Sequence, residues 1–199
     1  LSAEVDQHRQ LAALRQAGDD FISKPISDNT LLTTVFSRAQ RARQLANALA
    51  RDSLTGLLKH ADIKEQLSQE LLREQRRKPP TAVVMLDIDH FKRVNDQYGH
   101  PAGDGVIRAL ANLLRQRLRK ADLIGRYGGE EFLAILPDCS AEQAEKVFNA
   151  IRENFAQLQF CAGEQAFTCT FSAGIAQSTL GCLADELISL ADAALYQAK

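Results

Sequence analysis

Arg126-Tyr127-Gly128-Gly129-Glu130-Glu131-Phe132 joins two short apolar runs. Asp122-Leu123-Ile124-Gly125-Arg126-Tyr127 leads into it, and Glu131-Phe132-Leu133-Ala134-Ile135-Leu136 leads out and ends at Pro137. Two such runs joined by Gly-Gly predict a tight β-hairpin, because primed turns need positive φ and glycine adopts it without a Cβ clash. The turn puts Glu130 and Glu131 at the hairpin tip, and at Gly128 and Gly129 it allows backbone to approach a phosphate closely. Taken alone, the stretch equally describes a surface hairpin whose acids serve solubility.

The neighbouring segments supply the rest of a layered domain. Thr81 to Ile88 is continuously apolar through Ala82, Val83, Val84, Met85 and Leu86. It is too short for a helix and too apolar for a sheet edge, so it belongs in the sheet centre, with Asp87 and Asp89 at its carboxyl end. One or two helical turns are predicted over 91–96, a loop over 99–104, and a helix to about Lys120 with Ile107, Leu110, Leu113, Leu114 and Leu118 inward. A helix over 61–77 turns Ile63, Leu67, Leu71 and Leu72 inward, and its basic end suits the helix dipole. Further helices are predicted over 141–158 (Ala144, Val147, Phe148, Ile151 and Phe155 inward) and 183–199 (Leu187, Leu190, Ala191, Ala194 and Leu195 inward). Strands 160–162 and 167–176 flank a turn at Gly163. Strands interleaved with helices indicate an α/β or α+β fold, a sheet with helices packed on it.

Upstream, residues 4–17 read as a helix stopped by Gly18, followed by a short strand and turn over 19–26. Ser27 and Asp28 are candidate caps for the next helix. Residues 29–51 contain neither Gly nor Pro. Leu32, Val35, Ala39, Ala42, Ala46 and Leu49 recur at alternating steps of 3 and 4, the seam of a two-helix coiled coil, which predicts a dimer contact.

The 199 residues carry a net charge of −1, a balance that predicts no nucleic-acid or membrane partner. No apolar run approaches the ~20 residues that span a bilayer, and no signal peptide is visible. The chain starts at Leu1, as a piece of a longer protein does. Cys139, Cys161, Cys169 and Cys182 are widely spaced and form no C-x-x-C pair. They read as free buried thiols in a reducing cytoplasm.

Asp87, Glu130 and Glu131 converge if the central strand and the hairpin are neighbours. Oxygen-only ligands favour Mg²⁺ or Mn²⁺, and Mg²⁺ characteristically shares its shell with substrate phosphates, which suits a nucleoside triphosphate. In a chain one quarter charged, a chance cluster of acids is the competing explanation.

Asp87-Ile88-Asp89-His90-Phe91-Lys92-Arg93-Val94-Asn95-Asp96-Gln97-Tyr98-Gly99-His100, Gly103-Asp104 and Arg126 through Phe132 together resemble the GGDEF family of diguanylate cyclases. Asp52 through Leu57 resembles the family's opening motif, and Ala191 through Tyr196 its last helix. The resemblance covers residues 52–199. It implies a cyclase-like, ferredoxin-like αβ fold and synthesis of cyclic di-GMP from two GTP, one held by each subunit of a homodimer. It further implies that Asp87, Glu130 and the carbonyl of Ile88 carry Mg²⁺ or Mn²⁺, with Glu131 a further ligand. Glu130 is the implied base, with loss of the proton from a metal-bound hydroxyl to water as the alternative. Lys92 meets phosphate charge. Asn95 and Asp104 read guanine, His100 touches the nucleotide, Gly128 and Gly129 lie against it, and Lys199 matches a phosphate-contacting lysine. Arg119-Lys120-Ala121-Asp122 matches the family's R-x-x-D product-inhibition site.

Two departures stand out. Leu58-Lys59-His60 replaces the usual Asn-Arg region, and the basic residues that commonly follow Lys199 are missing, which predicts weakened activity. Ala17 through Pro25 resembles the end of a response-regulator receiver domain, with Lys24 its lysine. The resulting organisation is a receiver fragment over 1–28, a signalling helix over 29–51 and the GGDEF domain over 52–199. Two other functions fit the motifs: a cyclic di-GMP receptor without turnover, and a structural domain that regulates a partner.

Overall fold

The structure, a computed structural model, describes residues 26–77 and 80–199, with the backbone alone at 43–49 and 75–77. The expected helix over 4–17, the turn that follows it and Lys24 lie outside the described residues. The chain divides into two compact units at the Leu49–Ala50 junction.

In the first unit, α1 runs Asp28–Leu49. The Ser27 hydroxyl caps its start by accepting from the Thr30 N–H at 3.2 Å. Leu32, Val35 and Phe36 are exposed at 67%, 57% and 72%, and Ala39 and Ala42 are exposed beside them.

In the second unit the elements follow in the order α2 (His60–Arg77), β1 (Ala82–Ile88), α3 (Phe91–Tyr98), α4 (His100–Arg117), β2 (Leu123–Arg126), β3 (Glu131–Leu136), α5 (Ala141–Ala156), β4 (Phe160–Ala162), β5 (Gln165–Phe167), β6 (Phe171–Gln177) and α6 (Ala184–Ala198). The main sheet has the order β2-β3-β1-β6, and every neighbouring pair is antiparallel. All seven residues of β1 are buried, the apolar run Ala82–Leu86 as a sheet covered on both faces requires, and with it the carboxyl of Asp87.

Alternation divides the core in two. Val84, Leu86, Phe132 and Ala134 face Val106, Leu110 and Leu114 of α4 and Phe148, Ile151 and Phe155 of α5. Val83, Met85, Leu133 and Ile135 face Ile63 and Leu67 of α2 and Leu187, Ala191 and Leu195 of α6. Each of these side chains larger than alanine contributes roughly 1.5–3 kcal/mol through burial. Two glycines set how close the helices come. A Cβ at Gly125 would lie 2.7 Å from Ile63 of α2, and one at Gly174 would lie 2.1 Å from the Ala191 carbonyl oxygen of α6.

Several expectations are corrected. Gly128 and Gly129 do not adopt left-handed φ; Gly56, Gly99, Gly163 and Gly181 do. The hairpin therefore closes over the four-residue span 127–130 without a primed Gly-Gly turn. The expected loop over 99–104 shrinks to a corner at Gly99 (φ 82°), because Pro101 fits the first turn of α4. The strand expected over 167–176 splits. Phe167 pairs with Phe160 in a separate hairpin, where the two rings stack 5.5 Å apart, and β6 starts afresh at Phe171. Leu72 and Leu190, expected inward, are exposed at 63% and 60%, while Ile188 is buried. All four cysteines are free, but only Cys139 and Cys169 are buried: Cys161, on the short β4–β5 hairpin, is exposed and Cys182 is half-buried. Burial pushes the Cys169 thiol up to about 11, with the Asp89 charge adding to it. Among the described residues no helix is long and apolar enough to cross a membrane.

Candidate active site

β1 and β3 place Asp87 directly opposite Glu131. Both lie on the face that carries Val83, Met85, Leu133 and Ile135, where opposed side chains on one face meet. The end of α6 brings Lys199 onto this pair, its Nζ 2.6 Å from Asp87 Oδ1. Burial pushes the Glu131 carboxyl above its ordinary range, and the carboxylates of Asp87, Asp192 and Glu130 push it further, while Lys199 pulls it back. Gly128 makes room for this carboxyl: a Cβ there would stand 2.2 Å from Glu131 Oε2. The glycine thus serves close approach.

The predicted three-acid cage is not closed. Among the described residues no three His, Cys, Asp or Glu groups stand ready to hold a metal ion, and Glu130 makes no hydrogen bond or ion pair. What forms is a half-shell: an opposed carboxylate pair, with Glu130 adding to the negative charge around Glu131. Such a shell fits Mg²⁺, which takes one or two carboxylates and completes its coordination with substrate phosphates.

The hairpin loop is held from outside. The Arg126 guanidinium donates to the Gly129 carbonyl at 3.0 and 2.7 Å and to both Asp52 oxygens at 3.2 and 3.1 Å. Asp52 also accepts from the Thr55 N–H and hydroxyl, and Arg115 donates to the Thr55 carbonyl. Burial opposes ionisation of Asp52, but the Thr55 hydrogen bonds and the Arg126 charge outweigh it and hold the carboxyl below its usual range. Leu58 forms a parallel bridge with Gly125, so the Asp52–Leu58 turn runs beside the loop end of β2. At the near side of the loop, His60 stacks on Tyr127 at 4.0 Å. Sequence reasoning assigned no role to Asp52, Arg126 or His60. An Asp followed three residues later by Thr is a local signal for a self-bonded turn that could have found Asp52.

Asn95 lies on α3 and Asp104 on α4. A Cβ on Gly103 would lie 2.0 Å from Asn95 Oδ1, so the amide packs against the residue before Asp104. Both are half-buried, and Lys92 and His100 are exposed nearby in sequence. Among the described residues, no hydrogen bond or ion pair ties these four side chains to the acids or to one another. Asp89 turns away from Asp87. It accepts from the Thr170 hydroxyl at 2.6 Å and the Ser172 hydroxyl at 2.7 Å, fastening the β1–α3 turn to β6. A cavity of about 570 Å³ lies between α5 and β6, and none of the predicted site residues lines it. The site is therefore marked by its acids and not by a deep pocket.

Arg119 and Asp122 hold each other at 3.0 Å. Asp122 also accepts from the Arg119 backbone N–H at 2.8 Å, and Arg119 donates to the Pro137 carbonyl at 3.1 Å. They line a cavity of about 250 Å³ together with Cys139 and Gln143.

A family model described as "Diguanylate cyclase, GGDEF domain" matches residues 49–199. The chain belongs to the GGDEF family. Its GGDEF domain is 42% identical over 148 residues to diguanylate cyclase DgcP of Pseudomonas aeruginosa, covering 74% of this chain and 22% of that protein. The response regulator PleD of Caulobacter vibrioides is 34% identical over 207 residues, covering 98% of this chain and 46% of PleD. The chain thus spans less than half the length of either relative. Diguanylate cyclase SiaD of P. aeruginosa, solved with its activator SiaC, superposes with a TM-score of 0.75 at 34% identity, covering 96% of this chain and 70% of SiaD. The GGDEF domain of DgcB from Caulobacter crescentus, solved with c-di-GMP, gives a TM-score of 0.72 at 30% identity, covering 75% of this chain and 86% of that one.

Proposed function

We propose that this GGDEF domain condenses two GTP into cyclic di-GMP with release of pyrophosphate. The observation that carries the reading is the opposed Asp87–Glu131 pair under the Gly128-Gly129-Glu130 loop, with Lys199 seated on it. Asp87, the Ile88 carbonyl, Glu130 and Glu131 are the groups that would hold Mg²⁺ or Mn²⁺. When bound, the cation would spread the charge of the attacked α-phosphate and acidify the 3′-hydroxyl.

The chain's own residues supply the rest. Glu130 takes the 3′-hydroxyl proton as the oxygen bonds to the α-phosphorus of the second GTP and pyrophosphate leaves. Lys92 and Lys199 compensate phosphate charge. Asn95 and Asp104 accept and donate at the guanine edge, which adenine does not match, while His100 and the backbone at Gly128 and Gly129 border the nucleotide. Each subunit of a homodimer brings one GTP, so proximity does much of the work. The exposed stripe Leu32, Val35, Ala39 and Ala42 on α1 supports pairing of two such helices. Arg119 and Asp122 take the product as a feedback site. The alignment with PleD over 98% of this chain supports reading residues 1–28 as the tail of a receiver domain and 29–51 as the helix that passes its signal on.

The test is pyrophosphate release from GTP with Mg²⁺ across protein concentration, for the wild type and Glu130→Ala. Turnover per subunit should rise with concentration in the wild type and be absent in the variant. Equal rates in the two proteins would remove Glu130 from the reaction.

A further inference from the structure

Leu58-Lys59-His60 is the part of the opening motif to which the proposed reaction gives no task. His60 is the first residue of α2. Its ring lies on that of Tyr127 with 20° between the planes, and its Nδ1 stands 3.1 Å from the Tyr127 carbonyl oxygen. A carbonyl oxygen only accepts, so Nδ1 carries the proton and donates it.

Tyr127 opens the 127–130 loop, and its N–H and that of Gly128 both donate to the Glu131 carbonyl, at 2.8 and 3.3 Å. Arg126 holds the far side of the loop at Gly129, and His60 holds the near side. The imidazole is itself carried on a fixed element: Ile63, one turn along α2, fills the space a side chain on Gly125 would need, beside the start of the same loop.

We propose that His60 is a positioning residue for the signature loop: its contact with Tyr127 sets the orientation in which Glu130 and Glu131 are presented. The inference rests on the cyclase reading of that loop. The guanine-reading pair sits on α3 and α4, outside this contact, so losing His60 slows turnover and leaves GTP affinity largely in place.

Three variants of the 199-residue chain test it. His60→Phe keeps the ring stack without the donor, His60→Ala removes both, and His60→Gln restores an N–H donor. The expected result is a kcat for pyrophosphate release about tenfold lower in the Ala and Phe variants with KM for GTP within about twofold, and recovery to within about threefold in Gln. Amide exchange gives a readout independent of turnover. The Tyr127 and Gly128 amides should exchange about tenfold faster in His60→Ala, with the core strands unchanged. A kcat in His60→Ala within about twofold of wild type overturns the inference, as does a matched loss of kcat and rise of KM with faster exchange throughout the domain. If the wild type releases no pyrophosphate, the cyclase reading falls, and the exchange arm still decides: unchanged protection at Tyr127 and Gly128 overturns the positioning role.

Discussion

The two ends of β2 are each closed by an arginine and an aspartate, and the pairs differ in what they leave open. At the hairpin tip, the Arg126 and Asp52 side chains are 19% and 18% exposed. The guanidinium is consumed on both sides, by Asp52 and by the Gly129 carbonyl. At the other end, Asp122 is 2% exposed and Arg119 is 58% exposed. There the carboxylate keeps its backbone donor whatever the guanidinium does. The first pair is structural, because its half-buried guanidinium joins the Asp52–Thr55 turn to the Gly129 carbonyl of the loop. In the second the guanidinium donates to Asp122 and to the Pro137 carbonyl and stays largely in solvent, on a buried carboxylate.

Removing the arginines should separate the pairs. Arg126→Ala strips the loop of its Gly129 anchor and leaves Asp52 without its counter-charge. The expected loss is about 2–3 kcal/mol in urea denaturation, with GTP turnover falling at least about a hundredfold. A loss below about 1 kcal/mol would place Arg126 with ordinary surface ion pairs.

Asp52 gives the comparison a pH signature. Its carboxyl is held below the ordinary range, so the stability it adds is present above the unfolded value of about 3.9 and is lost as pH falls through the lower folded value. Asp52→Asn should therefore be less stable than wild type by about 1–2 kcal/mol at pH 7, and the gap should close in acid below about pH 4. A gap that stays constant with pH would mean that the charge of Asp52 is irrelevant to the clamp.

The smallest expected effect is Arg119→Ala, under about 1 kcal/mol in stability, because Asp122 retains the backbone N–H and the lost pair is exposed on one side. Inhibition by added cyclic di-GMP should weaken at least about tenfold, read as the ratio of inhibited to uninhibited rate. Unaltered inhibition would detach Arg119 from the product.

Where short-range physics decides, the sequence was legible. β1 is an uninterrupted apolar run and lies at the sheet centre, and the helix faces follow their 3.6-residue period except at Leu72 and Leu190. Those two fall at the margins of their stripes, where a small rotation of the helix decides burial. The hairpin was legible, but the reason for its glycines was not. Positive φ can be inferred from a turn pattern, whereas the space Gly128 yields to Glu131 depends on a side chain three residues away. Asp87, Asp89 and Glu131 were all visible as acids, yet pairing register alone shows that Asp87 meets Glu131 and that Asp89 is spent on Thr170 and Ser172. The contacts of Arg126 with Asp52 and of His60 with Tyr127 join residues 74 and 67 positions apart, and no local pattern announces them.

Gly174 has a reach well beyond its own strand. The α6 backbone rests on it with no space for a methyl group, and Lys199, just past the end of that helix, carries the ammonium seated on Asp87. The glycine acts as a fulcrum, and α6 is the arm. A single methyl at 174 would press on α6 at Ala191 and Leu195, about one turn before Lys199, and so displace the ammonium from Asp87. The seat of Lys199 on Asp87 is thereby tied to a backbone contact with the neighbouring strand β6.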